Sequence, residues 1–292
     1  MNLRQAILAT LAYHDIFDYP MTKEETCRYL IEERANLKSI RDGLNYLVAS
    51  KKIGAKEGYY FLKNRTNLVS LRIQRGKYSK SKFTKAHFFA NILKIIPTAK
   101  LVAVSGALAM QNSQKDDDID LVIVTAKDYL WTTRFLANIV LLPFKRNPSG
   151  VKISDRACLN VFIDESDLKI KPANFYQAHE ICQMKVLWDR ESTYQKFLKA
   201  NSWIKKYLPN WQPSSQFTVH SSRKLKPSTV NRQPSTVENF LKNFQRWYMR
   251  SKITNEKIGE HQLFFHPKDT QELVLREYAK RLKLLKLPSA DL

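Results

Sequence analysis

The stretch Leu101-Val-Ala-Val-Ser-Gly-Ala-Leu-Ala-Met110, followed after a polar loop by Asp116-Asp-Asp-Ile-Asp-Leu-Val-Ile-Val124, decides how the rest of the chain reads. Leu101 to Val104 is a short, largely β-branched run and predicts a strand. Ser105-Gly106 breaks it, and Ala107 to Met110 starts a helix. A strand that breaks at glycine into a helix presents backbone amides with no partner one turn back, at the positive end of the peptide dipoles. Together these make a seat for an anion such as phosphate. Asp118-Ile119-Asp120 opens a second strand, continued by Leu121, Val122, Ile123 and Val124. Strand residues alternate between faces, so Asp118 and Asp120 share one face and Ile119 takes the other. Two neighbouring carboxylates repel, which is costly at the mouth of an apolar strand unless a cation lies between them. Mg²⁺ takes oxygen from one or two carboxylates and completes its shell with water and substrate phosphates. Asp116 and Asp117, in the preceding loop, read as solvated.

Further along, Ala157-Cys-Leu-Asn-Val-Phe-Ile163 predicts another strand, with Asn160 at the inward position that would suit a third acid. Asp164 has the same strand parity as Asn160, about 13 Å on at ~3.3 Å per residue, and Asp155 has the opposite parity. Strand, Ser105-Gly106, helix, and an Asp-x-Asp strand beginning twelve residues after the glycine resembles the nucleotidyltransferase superfamily with the DNA polymerase β-like fold, over about residues 87–170. The resemblance implies a small mixed sheet, with Ser105, Gly106 and Ala107 on a turn that binds nucleotide phosphates. It also implies that Asp118 and Asp120 are the catalytic pair that binds Mg²⁺, with Mn²⁺ as a substitute. Two positions depart from the family pattern. Ala107 stands where the family has a serine after the glycine, and Asn160 stands at the third-acid position. An amide can bind a metal but cannot serve as a base.

The 292 residues are 43% hydrophobic and 26% charged, which suits a folded chain of two or three units and excludes a wholly disordered one. The first 65 residues read as three helices and a hairpin. Ile7, Leu8 and Leu11 recur at helical spacing, and Thr22-Lys-Glu-Glu25 has the form of a capping box opening a helix from Lys23 to about Glu33. A third helix spans about Leu37 to Ser50, and two short strands flank Glu57-Gly58. That order resembles a winged helix-turn-helix, whose third helix would enter a DNA major groove; the same module also serves as a packing unit. A bacterial group in which a winged helix precedes the transferase domain and a helical region follows it resembles the whole arrangement.

The expected organisation is therefore α/β (α+β). A winged helix occupies 1–65, a basic helical connector 66–100, and a transferase domain with following helices 101–211. A low-complexity linker fills 212–236, in which Pro-Ser-Thr-Val occurs twice, and a helical region occupies 237–292. The connector pattern is helical from Leu68 to Ile96 with an interruption around Lys77 to Lys82. It carries eight basic and no acidic side chains, and Arg72, Arg75, Lys77, Lys80, Lys82 and Lys85 form either a solvated face or a phosphate-facing stripe. Phe264-Phe265-His266-Pro267 reads as a turn, and His179-Glu180 as helix packing. The net charge of +22 points to a polyanionic partner or to a generally basic proteome. Cys27, Cys158 and Cys182 show no CxxC spacing, so neither a zinc knuckle nor a disulfide framework is expected. With no apolar run long enough to span a bilayer, no membrane partner and a cytoplasmic location are expected.

These readings lead to a Mg-dependent enzyme that moves a nucleotidyl group from an NTP to an acceptor (RNA, DNA, protein or another molecule) with release of pyrophosphate. Two other classes stay open: a non-catalytic nucleotide-sensing regulator that binds DNA or RNA, and a toxin-antitoxin component that modifies a partner protein.

Overall fold

The computed structural model describes residues 1–146, 153–213, 236–250, 256–265 and 270–288. Most of the repeat-bearing segment 212–236, and His266-Pro267, lie outside the described residues. The described part is mixed α/β, with ten α-helices, a two-stranded hairpin and a six-stranded mixed sheet.

The N-terminal residues form α1 (Leu3–Asp15), α2 (Lys23–Arg28), α3 (Leu37–Ala49), β1 (Ile53–Lys56) and β2 (Tyr59–Leu62). Thr22 and Glu25 make the expected reciprocal cap of α2. The helix stops five residues before the expected Glu33, because Tyr29, Leu30 and Ile31 turn into the core and are almost wholly buried. Glu57 and Gly58 both have positive φ (53° and 80°), the turn geometry whose twist matches a two-residue hairpin.

Next, α4 (Leu68–Leu93) runs 26 residues without the interruption read from the sequence. The polar positions in its middle are held rather than loose. Ser79 Oγ accepts from the Ser113 amide at 3.0 Å, and the Lys82 side chain is only 2% exposed. The basic run accordingly divides. Arg72, Arg75 and Lys82 are buried and grip loops of the neighbouring unit, whereas Lys77 and Lys80 face solvent. Arg72 donates to the carbonyls of Met110 and Gln111 and to Glu25, and Arg75 donates to the carbonyl of Phe17 and to Asn112. Half of the expected stripe is thus structural.

The large sheet contains β3 (Ala99–Val104), β4 (Ile119–Thr125), β5 (Ala157–Asp164), β6 (Lys185–Asp189), β7 (Lys257–Ile258) and β8 (Gln262–Phe264), in the order β6-β3-β4-β5-β8-β7. Only the β4–β5 pair is parallel. Residues 262–264 therefore form a strand of this sheet, where the sequence suggests a turn at Phe264; three residues are too few to show period-two alternation.

Successive side chains alternate between two cores. Val102, Val104, Leu121, Ile123 and Phe162 face a cluster shared with α4, α6 (Leu130–Val140) and α9 (Thr236–Met249). Ala103, Val122, Val124, Val161 and Ile163 face the other cluster, which is continuous with α1, α7 (Phe175–Gln183) and α10 (Thr270–Leu284). Between these elements lie the single turn α5 (Gly106–Ala109) and the short α8 (Thr193–Ala200). α9 meets α6 through Leu241, Gln245 and Met249, and Glu238 caps α6 by accepting from the amides of Trp131 (2.7 Å) and Thr132 (2.9 Å). Phe240, Phe244, Trp247 and Tyr248 of α9 are exposed. No described helix is long and apolar enough to cross a membrane.

Candidate functional site

β3 and β4 end side by side, and the two motifs of the opening stretch meet there. The Ser105 amide donates to the Asp120 carbonyl at 3.2 Å, which extends the ladder one step past Val104–Leu121. Gly106 then turns with φ +62°, a conformation that suits glycine. A Cβ added there would stand 3.3 Å from Asp120 Oδ2, so the glycine also makes room for that carboxylate. α5 is only four residues long, so it contributes little dipole. What it offers an anion is the amides of Gly106 and Ala107, which lie in a first turn where no earlier carbonyl is available. The Ser105 amide is committed to the sheet and cannot join them.

Asp118 and Asp120 fall on one face, as alternation requires. Among the described residues, one group of three acidic, histidine or cysteine side chains has ligand atoms within 4.8 Å of one another: Asp118, Asp120 and Cys158. Cys158 pairs with Asp120 in the parallel β4–β5 register and so projects beside it. Sequence spacing could not reveal this, because Cys158 has no nearby cysteine and its position depends on strand register. Asn160 also reaches the pair, its amide Nδ2 donating to Asp120 Oδ1 at 3.0 Å. The register explains both contacts. Leu121 pairs with Leu159 but Val122 with Val161, so Asn160 is the extra residue of a β-bulge that re-aims its side chain.

The bulge also corrects the reading of Asp164. Beyond it the parity flips, and Asp164 accepts from the Asp128 amide at 2.9 Å instead of sharing the face of Asp120. Asp155 is likewise excluded, since it accepts from Lys82 Nζ (2.9 Å) and Lys85 Nζ (2.5 Å). Asp117 caps its own loop by accepting from the Gln114 amide at 2.7 Å.

The charges are balanced in a way the sequence did not show. Arg146 Nη1 donates to Asp118 Oδ2 at 2.9 Å. Burial pulls the Arg146 guanidinium down, but the Asp118 charge and hydrogen bond outweigh it and hold the group above its ordinary value. Burial, followed by the Asp118 charge, pushes Asp120 up to about 7. The Arg146 guanidinium thus offsets part of the repulsion that the sequence reading assigned to a divalent cation. The donor set still fits Mg²⁺ through its two carboxylates, because that ion needs only one or two from the protein. Cys158 is a soft ligand, and burial and then the charges of Asp120 and Asp118 push its thiol up, so it offers a hard cation little.

No family model, curated protein or solved structure matches the chain. What the site can do rests on its geometry.

Behind Ser105, the Val122–Val161–Ile163 face of the sheet does not close fully on α7, leaving a cavity of about 330 Å³. Glu180 of α7 lines it together with Ser105 and Tyr176. Burial, then the Asp120 charge, pushes Glu180 up to about 7, while a hydrogen bond from Tyr176 draws it down. Its neighbour His179 points the other way. His179 Nδ1 lies 3.1 Å from the Phe175 carbonyl, and its ring centroid lies 3.9 Å from that of Tyr13. The dipeptide therefore splits between packing and cavity, and only the first half was legible.

Burial lowers His14 from 6.5 to about 4 and puts His179 well below its ordinary value. Between those limits the unfolded chain takes up protons that the folded chain refuses, so stability falls as pH drops from about 6.5 toward 4. Asp120 and Glu180, both raised, act in the opposite sense, so the difference between proteins is the useful readout. The double variant His14→Gln/His179→Gln is expected to lose less melting temperature than the wild type between pH 7 and pH 5 in parallel thermal scans. Equal losses would place the protonation elsewhere.

Proposed function

We propose that the protein transfers a nucleotidyl group from a Mg-bound NTP to an acceptor, releasing pyrophosphate, on a domain of the DNA polymerase β-like nucleotidyltransferase type preceded by a winged helix. The observation that carries this reading is the convergence of Asp118 and Asp120 beside a left-handed Gly106 turn, where a Cβ on the glycine would stand 3.3 Å from Asp120 Oδ2. Asp118 and Asp120 would hold Mg²⁺, which when bound activates the attacking oxygen and stabilises the leaving pyrophosphate. The Gly106 and Ala107 amides would hold phosphate oxygens, with the Ser105 hydroxyl beside them. Arg146, 40% exposed in its side chain, can exchange Asp118 for a phosphate oxygen when substrate enters. Asn160 orients Asp120 from the bulge.

The test is incubation of the full chain with each α-labelled NTP and Mg²⁺ or Mn²⁺, with RNA, DNA, protein and small molecules as acceptors. Pyrophosphate release that stops on chelation is expected; failure to bind any Mg-NTP would remove the proposal.

One observation favours a second reading. Cys158 and Asn160, rather than a carboxylate, stand beside the aspartate pair, and α3 exposes Lys38 and Arg41. A regulator that senses nucleotide and binds DNA would show NTP binding without pyrophosphate release, and DNA affinity falling steeply with salt.

A further inference from the structure

Glu180 is a carboxylate that the proposed transfer does not otherwise use. It is half-buried on α7, which packs against the Gly106–Ala109 turn, it shares the 330 Å³ cavity with Ser105, and the charge of Asp120 reaches it. The cavity begins at Ser105, at the end of β3. It runs under Val122, Val161 and Ile163 toward Lys257 on β7, four strand positions across the sheet, with Lys171 also on its wall. Its character therefore changes along its length: a carboxylate beside the aspartate pair, aliphatic walls, and two lysines.

A volume of 330 Å³ lies at the lower end of what encloses a small organic ligand, and it is too small to bury a folded or polymeric partner. The NTP is a poor occupant, because its polyphosphate would approach Glu180 and because Gly106 and Ala107 are not among the residues that line this space. An acceptor is a good one.

Building on the transferase reading, we propose that this cavity is the acceptor site, that it takes a hydroxyl-bearing small molecule with an apolar body and an anionic end, and that Glu180 receives the hydroxyl proton. The apolar body lies against Val161, Ile163 and Ile181, and the anionic end meets Lys171 and Lys257. In the step, the acceptor oxygen bonds to the α-phosphorus and its proton passes to Glu180. The bond from the α-phosphorus to the bridging oxygen breaks, and pyrophosphate leaves with that electron pair. A side-chain base supplied by α7 answers the lack of a carboxylate at Asn160.

The experiment gives the full chain, with Mg²⁺ and each α-labelled NTP, the dialysable small molecules, the RNA and the protein of a cell extract in separate reactions. Label is expected on a product of the dialysable fraction, with pyrophosphate released in equal amount. Glu180→Gln is expected to bind Mg-NTP as the wild type does while transferring at least about 100-fold more slowly, the usual minimum for a lost general base. Formate should restore part of the rate to Glu180→Ala. Gln271→Trp, which fills the cavity from α10, should raise the KM for the acceptor and leave NTP binding unchanged. Label on RNA or protein alone, or wild-type transfer by Glu180→Gln, overturns this proposal but spares the transferase reading. A wild-type chain that binds no Mg-NTP overturns both.

Discussion

Asp118→Ala is expected to lose turnover by about 1,000-fold or more, and Mg-NTP affinity with it, while melting within a few degrees of the wild type. A metal that stabilises transition-state charge contributes several kcal/mol, and each ~1.4 kcal/mol is a factor of ten in rate. With one carboxylate gone, Asp120 alone must hold the cation, and Asp120 already tends to keep a proton near neutrality, its value pushed up to about 7 by burial and then by Asp118. The cost to the fold is small for two reasons. Removing Asp118 relieves the repulsion on Asp120, and it strands only Arg146, whose side chain is 40% exposed and can turn to water. Pyrophosphate release, calorimetric titration with Mg-NTP and a thermal scan read the three parts separately. Turnover within about tenfold of the wild type would exclude a metal role for Asp118, since less than ~1.4 kcal/mol would then rest on it.

How far this site could be read from the chain depends on whether each relation is local. Gly106 and the Asp118–Asp120 alternation are relations within one or two elements, and strand parity alone places them. Cys158, Asn160 and Arg146 reach the same spot through the register of β4 with β5 and through a segment that meets Ala157 by an isolated bridge. A single inserted residue in that register takes Asp164 off the face that Asn160 shares with Asp120, and no local pattern announces it. Glu180 is further removed, because an α7 residue beside a buried histidine looks like packing until the cavity is seen. The same contrast runs through the fold. The Thr22–Glu25 cap and the Glu57-Gly58 turn are local chemistry and appear where expected. On α9 the hydrophobic pattern announces the helix but not its covered face, since Phe240, Phe244, Trp247 and Tyr248 are exposed while Leu241 and Met249 are buried with Glu238 and Gln245.

Lys82 makes the same point energetically, and replacing it is expected to have the largest effect on stability. In the sequence it is one of six cations on a basic helix. In the structure its side chain is 2% exposed, and its ammonium donates to the carbonyls of Lys115 (3.0 Å) and Asp117 (2.6 Å) and to Asp155 (2.9 Å). All three partners belong to the loops that deliver Asp118 to the head of β4, and the Asp155 amide itself donates to the Asp117 carbonyl. Lys82→Met keeps the length of the side chain and removes the charge, which leaves the Lys115 carbonyl with Ser154 Oγ, the Asp117 carbonyl with the Asp155 amide, and Asp155 with Lys85 as donors. Asp155, 35% exposed and still paired with Lys85, is not stranded, so the cost is that of the lost charged hydrogen bonds of the buried ammonium, roughly 3 kcal/mol together. At roughly 2–4 °C per kcal/mol for a chain of this order of size, the melting temperature should drop by about 6–12 °C. Lys85→Met provides the contrast. It contacts the same carboxylate, but its side chain is 44% exposed, so its loss should cost no more than ~1 kcal/mol. A Lys82→Met protein that melts no lower than Lys85→Met would show that the loop holds its shape without the buried ammonium. If the loop does depend on it, Lys82→Met should also weaken Mg-NTP binding in the cold, where the variant is still folded, because Asp118 then stands at the end of a slackened support.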